Sequence, residues 1–286
     1  MQFNVMSFIQ RFSKYMRSHN VDAIKQQIDP LISPEILEIC KVSAGKLGVV
    51  SDIHTNDFIF HFLITNPCFK SQYDAVEYYF NDGAKSAKKL ANLLYSDLKL
   101  QKGKPFKLLE FASGYGCVTR HLSQELPNVT IISCDIHNEA VNFISKQFST
   151  EAILSESVPE RLRLQQEYDV IFALSFFSHM PESSWGQWIK TLFSGLKENG
   201  FLIFTTHGKE SAKFFGDPVI PSNGFWFLPD SEQKDLDKNE YGITLVTPDF
   251  VIGELYRQIR APLVIYRYAF WWEHQDLYVV QKLSHL

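Results

Sequence analysis

Lys107-Leu108-Leu109-Glu110-Phe111-Ala112-Ser113-Gly114-Tyr115-Gly116-Cys117-Val118-Thr119-Arg120-His121-Leu122 is the stretch on which the reading of this chain turns. It opens as a short apolar run, passes through two glycines, and continues with Val118 and Leu122 four residues apart. That order reads as a strand, a tight turn and an amphipathic helix. Glycine in the turn lets the backbone take left-handed dihedrals and come close to a ligand, which a Cβ would prevent. The helix that follows aims its unpaired N–H groups and the positive end of its dipole at the turn, which suits it to cradle a nucleotide.

Downstream of this stretch, strands and helices alternate, which implies a parallel sheet covered on both faces. Residues 107–111 and 129–134 are the first two strands, the second ending at Asp135. A helix over 139–148, a short strand at 152–154, a strand at 169–174 and a helix over 185–196 follow. Lys197-Glu198-Asn199-Gly200 reads as a turn into a fifth strand at 201–206. Residues 208–247 break the alternation. So long an insertion is expected to be a lid or binding element, with 224–228 as a strand or aromatic flap. A helix over 248–259 precedes two apolar runs, 263–270 and 277–280, whose short connection can only join antiparallel strands.

Upstream, residues 1–100 read as helical. Phe3, Met6, Ile9, Phe12 and Met16 form an amphipathic stripe. Pro30 and Pro34 interrupt it, and Ser33-Pro34-Glu35 has the pattern of a cap with proline at the first helical position. Apolar residues recur at helical steps over 73–95, where Asn81-Asp82-Gly83 is expected to end one helix and restart another. The expected organisation is a helical prefix or lid, 1–100, and a main domain, 101–286, carrying the 208–247 insertion.

Composition narrows the function. Of 286 residues 45% are hydrophobic and 21% charged, the balance of an ordinary globular chain with a sizeable core. The formal charge of -4, with no long Lys/Arg run, argues against a nucleic-acid partner. Cys40, Cys68, Cys117 and Cys134 show no metal-ligand spacing and read as reduced thiols, as suits a cytoplasmic protein. No run of 18 apolar residues and no basic-then-apolar N-terminus marks a membrane span or export. Aromatics are plentiful, with 24 Phe, 12 Tyr and 5 Trp, enough to wall an apolar pocket as well as fill a core. Tyr78, Tyr79, Phe225, Trp226, Tyr241, Trp271 and Trp272 are candidate wall residues.

A dinucleotide is the first ligand to weigh. Its fingerprint needs a third glycine where the helix packs on the strand, and Thr119 stands there. Only one βαβαβ half follows before the chain turns antiparallel, which also counts against it.

Glu110-x-Ala112-x-Gly114-x-Gly116 resembles the first motif of the class I S-adenosylmethionine-dependent methyltransferases, written [DE]-x-G-x-G-x-G, with alanine in the first glycine position. Asp135, 21 residues after Gly114, stands where that family places the carboxylate for the ribose hydroxyls. The fourth strand, the approach to the fifth and the terminal antiparallel pair match as well, and the nearest flavour is the small-molecule and glycan-pathway branch. The resemblance implies an α/β, Rossmann-like, seven-stranded, mostly parallel sheet with an antiparallel terminal pair, plus the N-terminal helical region. It implies S-adenosyl-L-methionine as cofactor, held by Glu110, Ala112, Gly114, Gly116, Asp135, Ile136 and Ser175. The polar residue facing adenine falls within 155–157, and Glu156 is favoured because a carboxylate accepts from the exocyclic amine.

Methyl transfer is an in-line displacement, so placing the acceptor lone pair is much of the catalysis, and a hydroxyl acceptor must also lose its proton. Histidine, with an ordinary pKa of about 6.5, suits that task. His179 follows strand four, His207 follows strand five and His274 lies before the last strand, so all three are expected at the carboxyl edge where open α/β sheets bind ligands. His179 or His207 is the candidate base, and His274, two residues from Asp276, is expected to shape the acceptor site. No metal is expected: Glu182, Glu273 and Asp276 are the only acids near these histidines in sequence, too few for a hard-cation site. The expected activity is O-methylation of a small-molecule or glycan-type acceptor. The alternatives are N-methylation, for which the Asn-Pro-Pro-Tyr-like segment is absent after strand four, and a non-catalytic S-adenosylmethionine-binding scaffold. The oligomeric state is not legible.

Overall fold

The computed structural model describes residues 32–164, 167–231, 233 and 235–284. The amphipathic stripe expected over Phe3 to Met16, with Pro30, lies outside the described residues. The chain divides into two compact units. One holds the helical region up to Pro105 together with Ser113–Ser133 and His137–Ala152; the other holds Phe106–Ala112, Cys134–Ile136 and everything from Ile153.

The first unit is built on three helices, α1 (Pro34–Leu47), α2 (Phe58–Thr65) and α3 (Gln72–Asn92), the last running into a π-helical turn at Leu93–Asp97. As the cap pattern predicts, Ser33 accepts from Ile36 N and Pro34 occupies the first turn of α1. Asp57 caps α2, accepting from Phe60 N at 3.0 Å and from the Tyr79 hydroxyl at 2.7 Å. Burial raises the Asp57 carboxyl above the usual carboxylate range.

The break expected at Asn81-Asp82-Gly83 does not occur: α3 is continuous through it. Gly83 is there for packing. A Cβ on it would fall 2.1 Å from the Cys117 carbonyl oxygen and 2.9 Å from the His121 ring, so only glycine lets the backbone after the glycine turn approach α3. That backbone leads into α4 (Thr119–Glu125), and the unit also contains α5 (Asn138–Phe148). Arg120 of α4 is buried among the rings of Tyr79, Phe80 and Phe148, with its guanidinium about 5 Å from each.

The second unit is organised by a sheet with nine strands among the described residues. They are β1 (Phe106–Phe111), β2 (Val129–Asp135), β3 (Glu151–Leu154), β4 (Tyr168–Ala173), β5 (Leu196–His207), β6 (Phe225–Leu228), β7 (Ile243–Val246), β8 (Leu263–Trp271) and β9 (Gln275–Gln281); β2 and β3 enter this unit through their carboxyl ends. The order is β3-β2-β1-β4-β5-β7-β6, with β9 paired to β5 and to β8. β1, β4 and β5 run parallel, and β9 is antiparallel to both β5 and β8, so β8 runs in the direction of β5. Helices α6 (Glu182–Ser194), α7 (Lys209–Ala212) and α8 (Pro248–Gln258) complete it.

The mostly parallel α/β sheet with its antiparallel terminal pair is as the sequence pattern implies, but the strand count is nine rather than seven. The insertion supplies the difference: β6 and β7 form an antiparallel hairpin, and β7 pairs parallel with β5 at His207 and Leu245. The β4–β5 register ends at Ala173 and Phe204, and β9 covers the other edge of β5 as far as His207. β7 therefore takes the place beside β5 that β4 leaves beyond its carboxyl end. The expected turn at 197–200 is instead a bulge inside β5, with Asn199 left-handed at φ 63.

Candidate active site

β1, β4 and β5 all end at the same edge of the sheet, and the segments leaving them carry the candidate residues. Past β1 the backbone is left-handed at Ala112 (φ 57), Gly114 (φ 56) and Gly116 (φ 82). The two glycines do different work. A Cβ on Gly116 would sit 2.4 Å from the Phe148 ring, whereas a Cβ on Gly114 would meet nothing within 4 Å. Gly116 is thus required by packing, whereas the side-chain position at Gly114 is open and its left-handed backbone alone calls for glycine. Glu110 and Asp135, the carboxylates at the ends of β1 and β2, are buried, Ile136 is half-buried, and Ala112 and Glu156 are exposed. Within 155–157 it is Ser155 that is buried, its N–H donating to the Asp135 carbonyl at 2.8 Å.

Ser175, left-handed at φ 57 just past β4, belongs to a closed ring of hydrogen bonds. Its N–H donates to Thr205 Oγ1 (2.8 Å), the Thr205 hydroxyl donates to Gln275 Oε1 (2.6 Å), and Gln275 Nε2 donates to Ser175 Oγ (2.8 Å). Ser178 Oγ lies 2.9 Å from Ser175 Oγ. Thr205 and Gln275 were not singled out from sequence. The one signal for Thr205 is the polar pair Thr205-Thr206 after the apolar run 201–204, both fully buried in the fold.

The three histidines chosen by topology do come together. The rings of His179 and His207 are 6.0 Å apart between centroids, and those of His207 and His274 are 5.9 Å apart. Each tautomer follows from its partners. His179 Nδ1 donates to the Gly242 carbonyl at 2.8 Å, leaving a lone pair on Nε2. The Ser211 hydroxyl donates to the His274 carbonyl, so His274 Nδ1 must donate to Ser211 Oγ at 3.0 Å, again leaving Nε2 as acceptor. The His207 ring sits in the same row, and its Nδ1 is buried with no partner among the described residues. Burial, reinforced by His274 and His179, holds His207 well below the ordinary histidine value. Burial also pushes His274 down to about 4. Both are neutral imidazoles at pH 7.

His274 is shaped by Ser211 rather than by the neighbouring Asp276. The carboxylate of Asp276 accepts from Ala269 N (2.8 Å) and from the Tyr266 hydroxyl (3.2 Å). Of the candidate wall residues, Tyr79, Phe225 and Trp271 are spent on packing, while Tyr241 lies flat on His179. Among the described residues no group of three or more His, Cys, Asp or Glu could hold a metal ion, and no helix is long and apolar enough to cross a membrane.

This sheet order, with its antiparallel last strand and a glycine turn after β1, defines the class I methyltransferase fold. Residues 109–202 match the family described as "Methyltransferase domain". The solved structure of an S-adenosylmethionine-dependent methyltransferase from Clostridium acetobutylicum superposes with a TM-score of 0.51 over 70% of this chain and 92% of that one, at 12% identity. Malonyl-[acyl-carrier protein] O-methyltransferase of Bacillus anthracis is 26% identical over 153 residues, 52% of this chain and 56% of the relative. The enzyme of the same name from Calditerrivibrio nitroreducens is 28% identical over 145 residues, 50% of this chain and 56% of the relative. The chain thus spans about half the length of these curated relatives. Residues 109–202 thus form a methyltransferase domain, on a class I methyltransferase fold.

Proposed function

We propose that this protein is a cytoplasmic enzyme that methylates a hydroxyl oxygen of a small-molecule or glycan-type acceptor, using S-adenosylmethionine. The observation that carries the reading is the histidine row: His179 and His274 are each bound to the protein through Nδ1, which leaves Nε2 as an acceptor, and His207 lies between them. Such a row offers acceptors and suits a ligand that brings O–H donors.

Glu110, Ala112, Gly114 and Gly116 would hold the methionine end and ribose of the cofactor, Asp135 the ribose hydroxyls, Ile136 and Glu156 the adenine, and Ser175 the methionine portion. The open space over Gly114 and the carboxylates ending β1 and β2 fit that group. When bound, the cofactor supplies an electrophilic methyl group on a sulfonium. Among the three histidines His179 is assigned as the base, with the acceptor proton moving to Nε2. The depressed proton affinities of His207 and His274 keep them neutral and make them poor bases, which leaves them the role of orienting the acceptor hydroxyl. In this reading residues 1–100 are a helical prefix or lid and residues 101–286 the methyltransferase domain with its 208–247 insertion.

A second reading follows from the names of the curated relatives, whose acceptor is a malonyl group on an acyl carrier protein. A carboxylate already bears its charge and needs no base, so the two readings separate chemically. Purified protein would be incubated with S-adenosylmethionine and either malonyl-acyl carrier protein or a panel of sugar and aromatic hydroxyls, following S-adenosylhomocysteine release. Turnover of a hydroxyl substrate that is lost in His179→Ala supports the first reading. Turnover of the malonyl substrate alone, insensitive to His179→Ala, supports the second. Absence of S-adenosylhomocysteine binding would overturn both.

A further inference from the structure

Residues 48–57, between α1 and α2, have no regular secondary structure, yet within their own unit they are tied to the glycine turn and the helices that follow it. The His54 ring stacks on Tyr115 with centroids 4.8 Å apart and planes within 20°. Phe143 of α5 closes against both rings, at 5.4 Å from His54 and 6.3 Å from Tyr115. Arg120 donates through Nη1 to the carbonyls of Val50 (2.9 Å) and Asp52 (3.2 Å), and through Nε to the carbonyl of Gly116 (3.1 Å). Asn56 Nδ2 donates to Glu139 of α5, and its backbone N–H donates to His54 Nδ1 at 3.1 Å, fixing the imidazole plane.

Tyr115 is the only side chain between two left-handed glycines, the residues with the most backbone freedom. The turn is closed by Gly116 N donating to the Ser113 carbonyl at 3.2 Å, and the Tyr115 ring packs on Ala140 and Phe143 and lies 6.4 Å from the His137 ring. Its burial, to 8% exposure, comes from a stack that includes the His54 ring. A turn that must present bare backbone at Gly114 gains affinity when its conformation is set before the ligand arrives, because the ordering entropy is then already spent.

We propose that His54 is a positioning residue for the methyl donor: by stacking on Tyr115 it holds the Ser113–Gly116 turn in its receiving conformation, with Arg120 and Asn56 anchoring the strap that carries it. This rests on the reading that the turn receives S-adenosylmethionine. The chemistry asked of residue 54 is a flat ring, not a charge or a proton.

The test uses the full chain in four forms, wild type, His54→Ala, His54→Phe and Tyr115→Leu, plus the double variant His54→Ala/Tyr115→Leu. S-adenosylhomocysteine affinity is measured by calorimetry, with thermal melting as a fold control. His54→Ala and Tyr115→Leu should each weaken binding about tenfold, corresponding to about 1.4 kcal/mol. The double variant should be little weaker than either single one, and His54→Phe should stay within about threefold of wild type. Where turnover is measurable, the effect should fall on the donor KM rather than on kcat. Wild-type affinity in His54→Ala, additive losses in the double variant, or a His54→Phe as weak as His54→Ala would each overturn the inference. Wild-type protein that does not bind S-adenosylhomocysteine would overturn the functional reading instead.

Discussion

The imidazole of His179 lies face to face with the phenol of Tyr241, ring centroids 4.4 Å apart and planes within 5°. His179 follows β4 and Tyr241 precedes β7 in the insertion, so an element outside the alternating pattern sets the orientation of a candidate base. The insertion grips the same segment through its backbone: Gly242 N donates to the His179 carbonyl (2.9 Å) and Thr244 N to the Ser178 carbonyl (2.8 Å). His179→Ala is expected to lower turnover of a hydroxyl acceptor by at least about 10²-fold while leaving S-adenosylhomocysteine affinity intact. Tyr241→Ala, which keeps the Gly242 bond but removes the stack and the Gln233 hydrogen bond, should cost about tenfold or less. Steady-state turnover and calorimetry on both variants check this; near-normal turnover in His179→Ala removes it as the base.

Stability should fall on the acid side of neutrality. Burial with the two neighbouring histidines depresses His207, burial takes His274 to about 4, and burial with Arg120 takes His121 to about 4. Between its native and unfolded pKa such a histidine binds fewer protons folded than unfolded, so unfolding takes up protons. The stability it confers is complete above about pH 6.5 and is lost as the pH falls from there through about 4, at no more than about 1.4 kcal/mol per pH unit for each histidine. Asp57 and Asp276, raised by burial, act in the opposite sense, so the informative comparison is between variants. Urea unfolding of His207→Asn should show a shallower acid limb than wild type between about pH 6 and 4.5. Equal slopes would mean that His207 is not held neutral by the fold.

Gly83→Ala separates helix propensity from packing. In an exposed helix the change would stabilise by about 0.8–1.0 kcal/mol. Here the added Cβ meets the Cys117 carbonyl at 2.1 Å, a backbone atom that cannot rotate away. Overpacking of this kind costs about 1–3 kcal/mol, so a net loss of stability is expected in denaturant unfolding. A gain would show that α3 and the turn before α4 separate freely.

Ala112 stands where the resembled motif has glycine, and it is left-handed at φ 57. Holding an L-residue there costs about 1–2 kcal/mol, against about 0.5–1 kcal/mol of extra unfolded-state freedom for glycine. Ala112→Gly should therefore stabilise by about 0.5–1 kcal/mol, read as a raised melting temperature. An unchanged or lowered value would indicate that the methyl group earns its place through packing.

The elements most legible in the sequence are those whose cause is local. The strand, glycine turn and helix around Gly114, the Ser33-Pro34 cap and the final hairpin each follow from residue types a few positions apart, and all of them form. The misread positions are those whose cause lies far away in the chain. Gly83 looks like a helix end until Cys117 is placed beside it, and the 197–200 segment looks like a turn until its pairing in β5 makes it a bulge. The 208–247 insertion gave no sequence sign that β7 would extend the sheet, because one backbone pairing with His207 decides it.

By itself, the sequence determined the α/β class, the succession of strands and helices along the main domain and the three histidines worth following, because periodicity and strand ends are properties of short windows. Tertiary structure alone decided that those histidines share one row, that Tyr241 and Gly242 orient His179, that Thr205 and Gln275 lock Ser175, and that His54 stacks on Tyr115. Each of these relationships joins residues at least 28 positions apart, and no local preference encodes a partner at that distance. Only the closing of the chain around its core supplies the partner, and with it the desolvation that keeps His207 and His274 neutral.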